Sequence, residues 1–357
     1  MTAPELTFPQ LLDRLAGTRG DEVALQEKRY GIWQPITWSG YGRRVRWFAH
    51  GLVSLGFERG EVLAILGDNR PEWLISELAA QSLGGISVGL YPDGIVEEVE
   101  HVLSHAGVRV VVAEDQEQVD KLLALRGAGR LDTVEWIVYY DPHGLEHYDD
   151  AALVDYVELE RRGDELERER PGWLDEQVAS GDVSDPAILC TTSGTTAKPK
   201  LAVLTHRNLL SMGAGLMEVD PIDSRDEYVS FLPLAWIGEQ MISVACSLQA
   251  GFALSFPEDA STMQSDLREI GPRVMFSPPR IWESLVSSVQ VRLQDAGWLK
   301  RASFRWGFKV GRRAAEARMG GGRPRPACGA SGRAPRCGWH TWSPSWSRCG
   351  RRGSSSA

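Results

Sequence analysis

The chain is 357 residues long and 43% apolar, and its 39 basic and 48 acidic residues leave a net charge of −9. Such length and apolar content suffice for a large core and two or three domains, while the acidic balance, without a basic stripe and interleaved aromatics, excludes a general nucleic-acid binder. No apolar run approaches the roughly 18 residues of a membrane span and residues 1–7 lack the parts of a signal peptide, so a cytoplasmic protein is expected.

In chain order, Val62-Leu-Ala-Ile-Leu66 is the first clear strand signal. Asp68-Asn-Arg-Pro-Glu-Trp73 follows directly, with Asp68 or Asn69 suited to an N-cap and Pro71 to the first turn of a helix over 71–83. Capping and packing account for these residues, and no chemistry is assigned to them. Ile86-Ser-Val-Gly-Leu90, Val108-Arg-Val-Val-Val112, Trp136-Ile-Val-Tyr-Tyr140 and Ala187-Ile-Leu-Cys190 repeat the buried-strand pattern, and helical periodicity fills 96–105 and 116–125. Continuous apolar strands alternating with helices predict an α/β fold of parallel sheets flanked by helices.

His101 and His105 share a helix face at i, i+4, but no third ligand accompanies them, so no metal site is expected there. Residues 149–185 are acidic and strand-poor, and their mixed charges at helical spacing read as a solvated, ion-paired helix and connector. Cys190, Cys246, Cys328, Cys337 and Cys349 show no paired metal spacing, which favours reduced thiols.

The most informative stretch is Cys190-Thr-Thr-Ser-Gly-Thr-Thr-Ala-Lys-Pro-Lys-Leu-Ala-Val-Leu-Thr-His206, set between an apolar strand and a helix expected to begin near Thr205. The hydroxyls of Thr192, Ser193, Thr195 and Thr196 can donate to phosphate oxygens, Gly194 lets backbone N–H groups approach, and Lys198 or Lys200 can neutralise charge. No Walker A spacing occurs in the chain, so P-loop chemistry is disfavoured. A loop at the carboxyl end of a sheet strand lies where open α/β sheets bind ligands.

Thr-Ser-Gly-Thr-Thr-x-x-Pro-Lys followed by Leu-Thr-His resembles the phosphate loop of the AMP-forming acyl-CoA synthetases, in the adenylate-forming ligase superfamily. The resemblance implies that Thr192, Ser193, Gly194, Thr195, Thr196 and Lys200 contact the phosphates of ATP, with Lys198 as a further candidate. It also implies Mg2+, and CoA as co-substrate: a carboxylate attacks the α phosphorus, pyrophosphate leaves, and the acyl adenylate passes to a thiol. Ala197 and Leu201 stand where the family usually has glycine, and a left-handed backbone at either would cost about 1–2 kcal/mol.

Phe231-Leu-Pro-Leu-Ala-Trp-Ile-Gly-Glu-Gln240 resembles the family's acyl-pocket segment, with Trp236 at the common histidine position; Trp236 reads equally as an apolar pocket wall or as core. The segment 272–285 resembles a strand-to-helix element of the long-chain fatty acyl-CoA synthetase branch, which implies a fatty acid substrate and is compatible with peripheral contact with a bilayer. Asn-Arg-Pro-Glu-Trp, Leu90-Tyr-Pro92 and Phe256-Pro-Glu258 extend the likeness over most of 1–319.

The family's Tyr-Gly-x-Thr-Glu and Thr-Gly-Asp strings, and the lid domain with its catalytic lysine, do not occur in this sequence. The expectation is therefore an incomplete N-terminal region of the ligase fold that does not catalyse by itself and exposes uncovered apolar faces. Readings still open are a ligase for aryl or medium-chain acids, and a noncatalytic nucleotide- or lipid-binding protein. Residues 320–357 hold seven arginines and no lysine, aspartate, glutamate, leucine, isoleucine, valine or phenylalanine; without those arginines, residues 1–319 carry 32 basic and 48 acidic residues, a net of −16. Such a tail cannot build a core, and it reads as a frameshifted terminus or as a disordered basic arm.

Overall fold

The computed structural model describes residues 6–192 and 199–320. Ser193, Gly194, Thr195, Thr196, Ala197, Lys198 and the tail beyond 320 lie outside the described residues. The chain divides into two compact units, Met1–Phe276 and Ser277–Ala357.

The described strands of the first unit are β1 (Val23–Arg29), β2 (Ile32–Thr37), β3 (Val62–Leu66), β4 (Ile86–Leu90), β5 (Val108–Ala113), β6 (Trp136–Tyr139), β7 (Leu153–Asp155), β8 (Pro186–Thr192), β9 (Lys200–Thr205), β10 (Glu227–Val229) and β11 (Ala253–Phe256). Seven form one sheet in the order β7-β6-β5-β3-β4-β8-β9, parallel throughout except at β8 and β9. The other four are ordered β10-β11-β1-β2, antiparallel only between β1 and β2.

All five apolar runs are strands of the larger sheet, and helices Pro71–Ser82, Val96–Ala106 and Gln116–Gly127 fill the expected intervals. Successive side chains of a strand point to opposite faces. Leu63, Ile65, Val110 and Val112 thus enter one core, and Ala64, Leu66, Val111 and Ala113 enter another beneath helices Val96–Ala106 and Gln116–Gly127. Burial on both faces is why these strands read as unbroken apolar runs. Helix Pro71–Ser82 is buried along its whole length, against β3 and β4 of one sheet and β1 of the other.

The order β4-β3-β5-β6-β7 is a doubly wound arrangement whose turning point lies between β3 and β5, where such folds open a crevice at the strand carboxyl ends. Here side chains fill that position. Arg70, just after β3, pairs with Glu114, just after β5, at 3.3 Å, and Glu114 also accepts from the Asp68 backbone N–H. The phenol of Tyr140, after β6, is buried beside them.

Four expectations change. The N-cap of helix Pro71–Ser82 is Arg70, without a side-chain cap bond, although Pro71 does open the helix. The acidic stretch contributes strand β7 and helix Tyr156–Glu169, which is not simply solvated: one face docks on helix Trp38–Ser54. Arg44 binds Glu160 at 2.8 Å across that contact, and Glu72 of helix Pro71–Ser82 at 3.1 Å. Glu158 keeps the expected surface pairing with Arg161 and Arg162. The segment after Cys190 does not lead straight into a helix, because β9 intervenes. The strand expected before Pro279 is absent: residues 271–278 form no strand, and Pro278-Pro279 opens helix Pro279–Gln294 instead.

In the second unit, helices Pro279–Gln294 and Trp298–Gly320 have no buried residue among side chains 277–317, and Trp298, Leu299, Trp306 and Phe308 are exposed. No helix among the described residues is long and apolar enough to cross a membrane.

Candidate active site

β8 and β9 form an antiparallel hairpin whose connected end lies at the carboxyl edge of the sheet. Thr192 pairs with Lys200 at its mouth, and the Thr192 hydroxyl donates to the Lys200 carbonyl at 3.3 Å. Of the phosphate candidates, Thr192 and Lys200 are thus brought together; Ser193, Gly194, Thr195, Thr196 and Lys198 lie between them, outside the described residues. Leu201 pairs with Thr191 in the ladder, so its backbone is extended and the strain anticipated there does not arise. The Leu-Thr-His end of the motif is structural. Thr205 caps helix His206–Val219 by accepting from the Asn208 N–H at 3.2 Å. His206 is buried, with Nδ1 3.4 Å from the Phe8 N–H as acceptor.

Beside the hairpin is a shallow, narrow cleft lined by Gly89 of β4, Ile188, Leu189 and Cys190 of β8, and Leu234, Ala235, Ile237 and Gln240. The segment after β10 lies close on β4 because Gly89 has no side chain; a Cβ there would stand 2.8 Å from both the Ala235 Cα and the Trp73 ring. Trp236 is half-buried and stacks on Phe276 at 5.9 Å between centroids. Its neighbours Ala235 and Ile237, rather than Trp236 itself, line the cleft.

Asn69 positions this wall. Its Nδ2 donates to Ser230 Oγ at 2.9 Å and to the Leu232 carbonyl at 2.6 Å, and its Oδ1 accepts from the Leu234 N–H at 2.9 Å. Ser230 in turn donates to Glu239 at 2.7 Å, and Glu239 also accepts from Tyr228 at 2.9 Å and Ser243 at 2.8 Å. On the other side, Gln240 donates to Glu77 at 2.9 Å and to the Leu234 carbonyl at 3.0 Å. A π-helical stretch, Met241–Cys246, continues the helix that begins at Ile237.

Sequence reasoning overlooked this network. The available signal was a Glu-Gln pair inside an apolar run, since buried polar groups need partners.

Burial pushes the Glu239 and Glu77 carboxyls up to about 7, although the hydrogen bonds they accept pull the other way. Burial also lowers His206 to about 4. For a carboxyl raised from 4.5, the stabilising contribution is complete below 4.5 and is lost as pH climbs through about 7. For His206, lowered from 6.5, it is complete above 6.5 and is lost as pH falls through about 4. Glu239→Gln is therefore expected to flatten the decline in stability between about pH 5 and pH 8 by ~2 kcal/mol, read from urea unfolding at both values. An unchanged slope would mean that Glu239 is not the group responsible.

Among the described residues no group of three His, Cys, Asp or Glu side chains is placed to hold a metal ion. His101 and His105 stack on each other at 5.5 Å, and His101 Nε2 lies 3.0 Å from the Pro199 carbonyl.

A doubly wound sheet, with a hydroxyl- and lysine-rich sequence joining β8 to β9 at its carboxyl edge, places the chain among the α/β proteins. The chain belongs to the AMP-binding enzyme family, which matches residues 12–328. It is similar to the long-chain-fatty-acid–CoA ligase ACSBG2 of Rattus norvegicus, 29% identical over 329 residues that cover 90% of this chain and 48% of that one. The ACSBG2 of Homo sapiens is also 29% identical, over 85% of this chain and 46% of that one. The chain thus spans about half the length of these curated relatives. Among solved structures it resembles the anthranilate CoA ligase AuaEII in complex with anthranoyl-AMP, with a TM-score of 0.64 and 21% identity over 75% of this chain and 49% of that one. The N-terminal domain of FACL13 from Mycobacterium tuberculosis gives a TM-score of 0.60 and 22% identity over 74% of this chain and 61% of that one. These likenesses establish the adenylate-forming fold.

Proposed function

We propose that this chain is the pyrophosphate-cradling and acyl-binding part of an ATP-dependent long-chain fatty acid–CoA ligase, and that it does not complete the reaction by itself. The observation that carries the reading is the pairing of Thr192 with Lys200 at the mouth of the β8–β9 hairpin, which brackets the hydroxyl-rich segment at the sheet's carboxyl edge. In this reading Thr192, Ser193, Gly194, Thr195, Thr196 and Lys200, with Lys198, surround the β and γ phosphates. Donors placed there stabilise the charge on departing pyrophosphate, an electrostatic and positional contribution. The cleft between β4 and β8 receives the carboxylic acid, and the Trp236–Phe276 pair supplies apolar surface next to it.

Magnesium and CoA are expectations from the family, and no described residue is assigned to either. The tail, 320–357, is assigned no role in the site.

Lys200→Ala is expected to weaken inorganic pyrophosphate binding about tenfold, as for loss of one charge-assisted contact, in isothermal titration of the whole chain. Absence of pyrophosphate and ATP binding by the unmodified chain would refute the cradle. Acyl-adenylate formation from ATP and palmitate would refute the inactivity.

A further inference from the structure

His101 stands on helix Val96–Ala106, 98 residues before the carbonyl that it contacts. Val99, Val102 and Leu103 bury that helix in the second core, which makes it a fixed platform. Pro199 has no N–H, so its carbonyl is the sole backbone polar group it offers. That carbonyl receives the imidazole Nε2–H at 3.0 Å, which requires the proton on Nε2. Leu201, two residues on, packs against the same core from β9. The entry side of the hairpin mouth is held by the strand ladder; its exit side is held by the ladder and by this helix.

We propose that His101 is a positioning residue for Lys200: by tying down the Pro199 carbonyl it fixes the backbone that presents that side chain. The proposal rests on the reading of Lys200 as a phosphate contact given above. Of the two histidines with metal-like spacing, His101 serves as a hydrogen-bond donor to the hairpin, and His105 is exposed and stacks on it. The helix contributes none of the cleft lining.

The test uses isothermal titration of inorganic pyrophosphate into the full chain and into His101→Gln, His101→Asn and His101→Ala, with melting temperatures measured alongside. Glutamine can place an amide N–H near the position of Nε2; asparagine is too short, and alanine has no donor. Loss of one hydrogen bond predicts weakening of about three- to tenfold for the asparagine and alanine variants and near-normal affinity for the glutamine variant. Hydrogen exchange in the peptide containing Lys200–Thr205 should rise in the first two and not in the third. A general packing role would make all three variants alike, so uniform behaviour, or unchanged affinity throughout, overturns the assignment to His101. Failure of the unmodified chain to bind pyrophosphate instead overturns the phosphate reading itself, and the positioning role with it.

Discussion

Replacing Gly163 by alanine is expected to destabilise the first unit by about 2 kcal/mol, although alanine is the better helix former by about 1 kcal/mol. Helices Trp38–Ser54 and Tyr156–Glu169 approach so closely that a Cβ on Gly163 would run into the Trp47 carbonyl. A backbone carbonyl cannot turn aside as a flexible side chain can, so the helices must separate and the Arg44–Glu160 contact must stretch. Urea unfolding monitored by far-UV circular dichroism measures the change. If the variant is instead more stable, by the helix-propensity increment, the close approach does not contribute to stability.

Asn69→Asp should be more damaging still, with a loss of about 3 kcal/mol or more near neutral pH. The retained oxygen can still accept from the Leu234 N–H. The other replaces an amide donor with an anion facing the Leu232 carbonyl and a Ser230 hydroxyl whose proton is already given to Glu239. Asn69→Ala removes the same bonds without introducing charge and should cost about 2 kcal/mol. Thermal melts of both variants at neutral and mildly acidic pH give a clear discrimination: protonation of the new carboxyl restores a donor, so only the aspartate variant should recover on acidification. Equal losses at both pH values would show that the clamp acts by shape and not by donor placement.

These sites differ in how far the sequence disclosed them. β3, β4 and β5 were legible because strands buried on both faces must be apolar at every position. β9 was not, since Lys200-Leu-Ala-Val-Leu-Thr205 is a partly exposed edge strand that runs directly into a helix cap. The hydroxyl-rich segment stands out in the sequence because a concentration of donors is a local property of the chain. Asn69 was misread as a cap because its partner Leu234 is 165 residues away. The sequence beside it offers capping and remote hydrogen bonding equally.

Gly163 carries no local signal either, since closeness between two helices resides in neither one alone. His101 posed the question of a metal through its spacing, and its actual partner is a carbonyl on another element.

The position between β3 and β5, which many α/β proteins leave open, is here closed by side chains. Among the described residues, Arg70 and Glu114 lock together the loops after β3 and β5 as struts, and the cleft lies at the neighbouring edge, around β4, β8 and the β8–β9 hairpin. Variation at the struts should register as altered melting, and variation at the open edge as altered affinity.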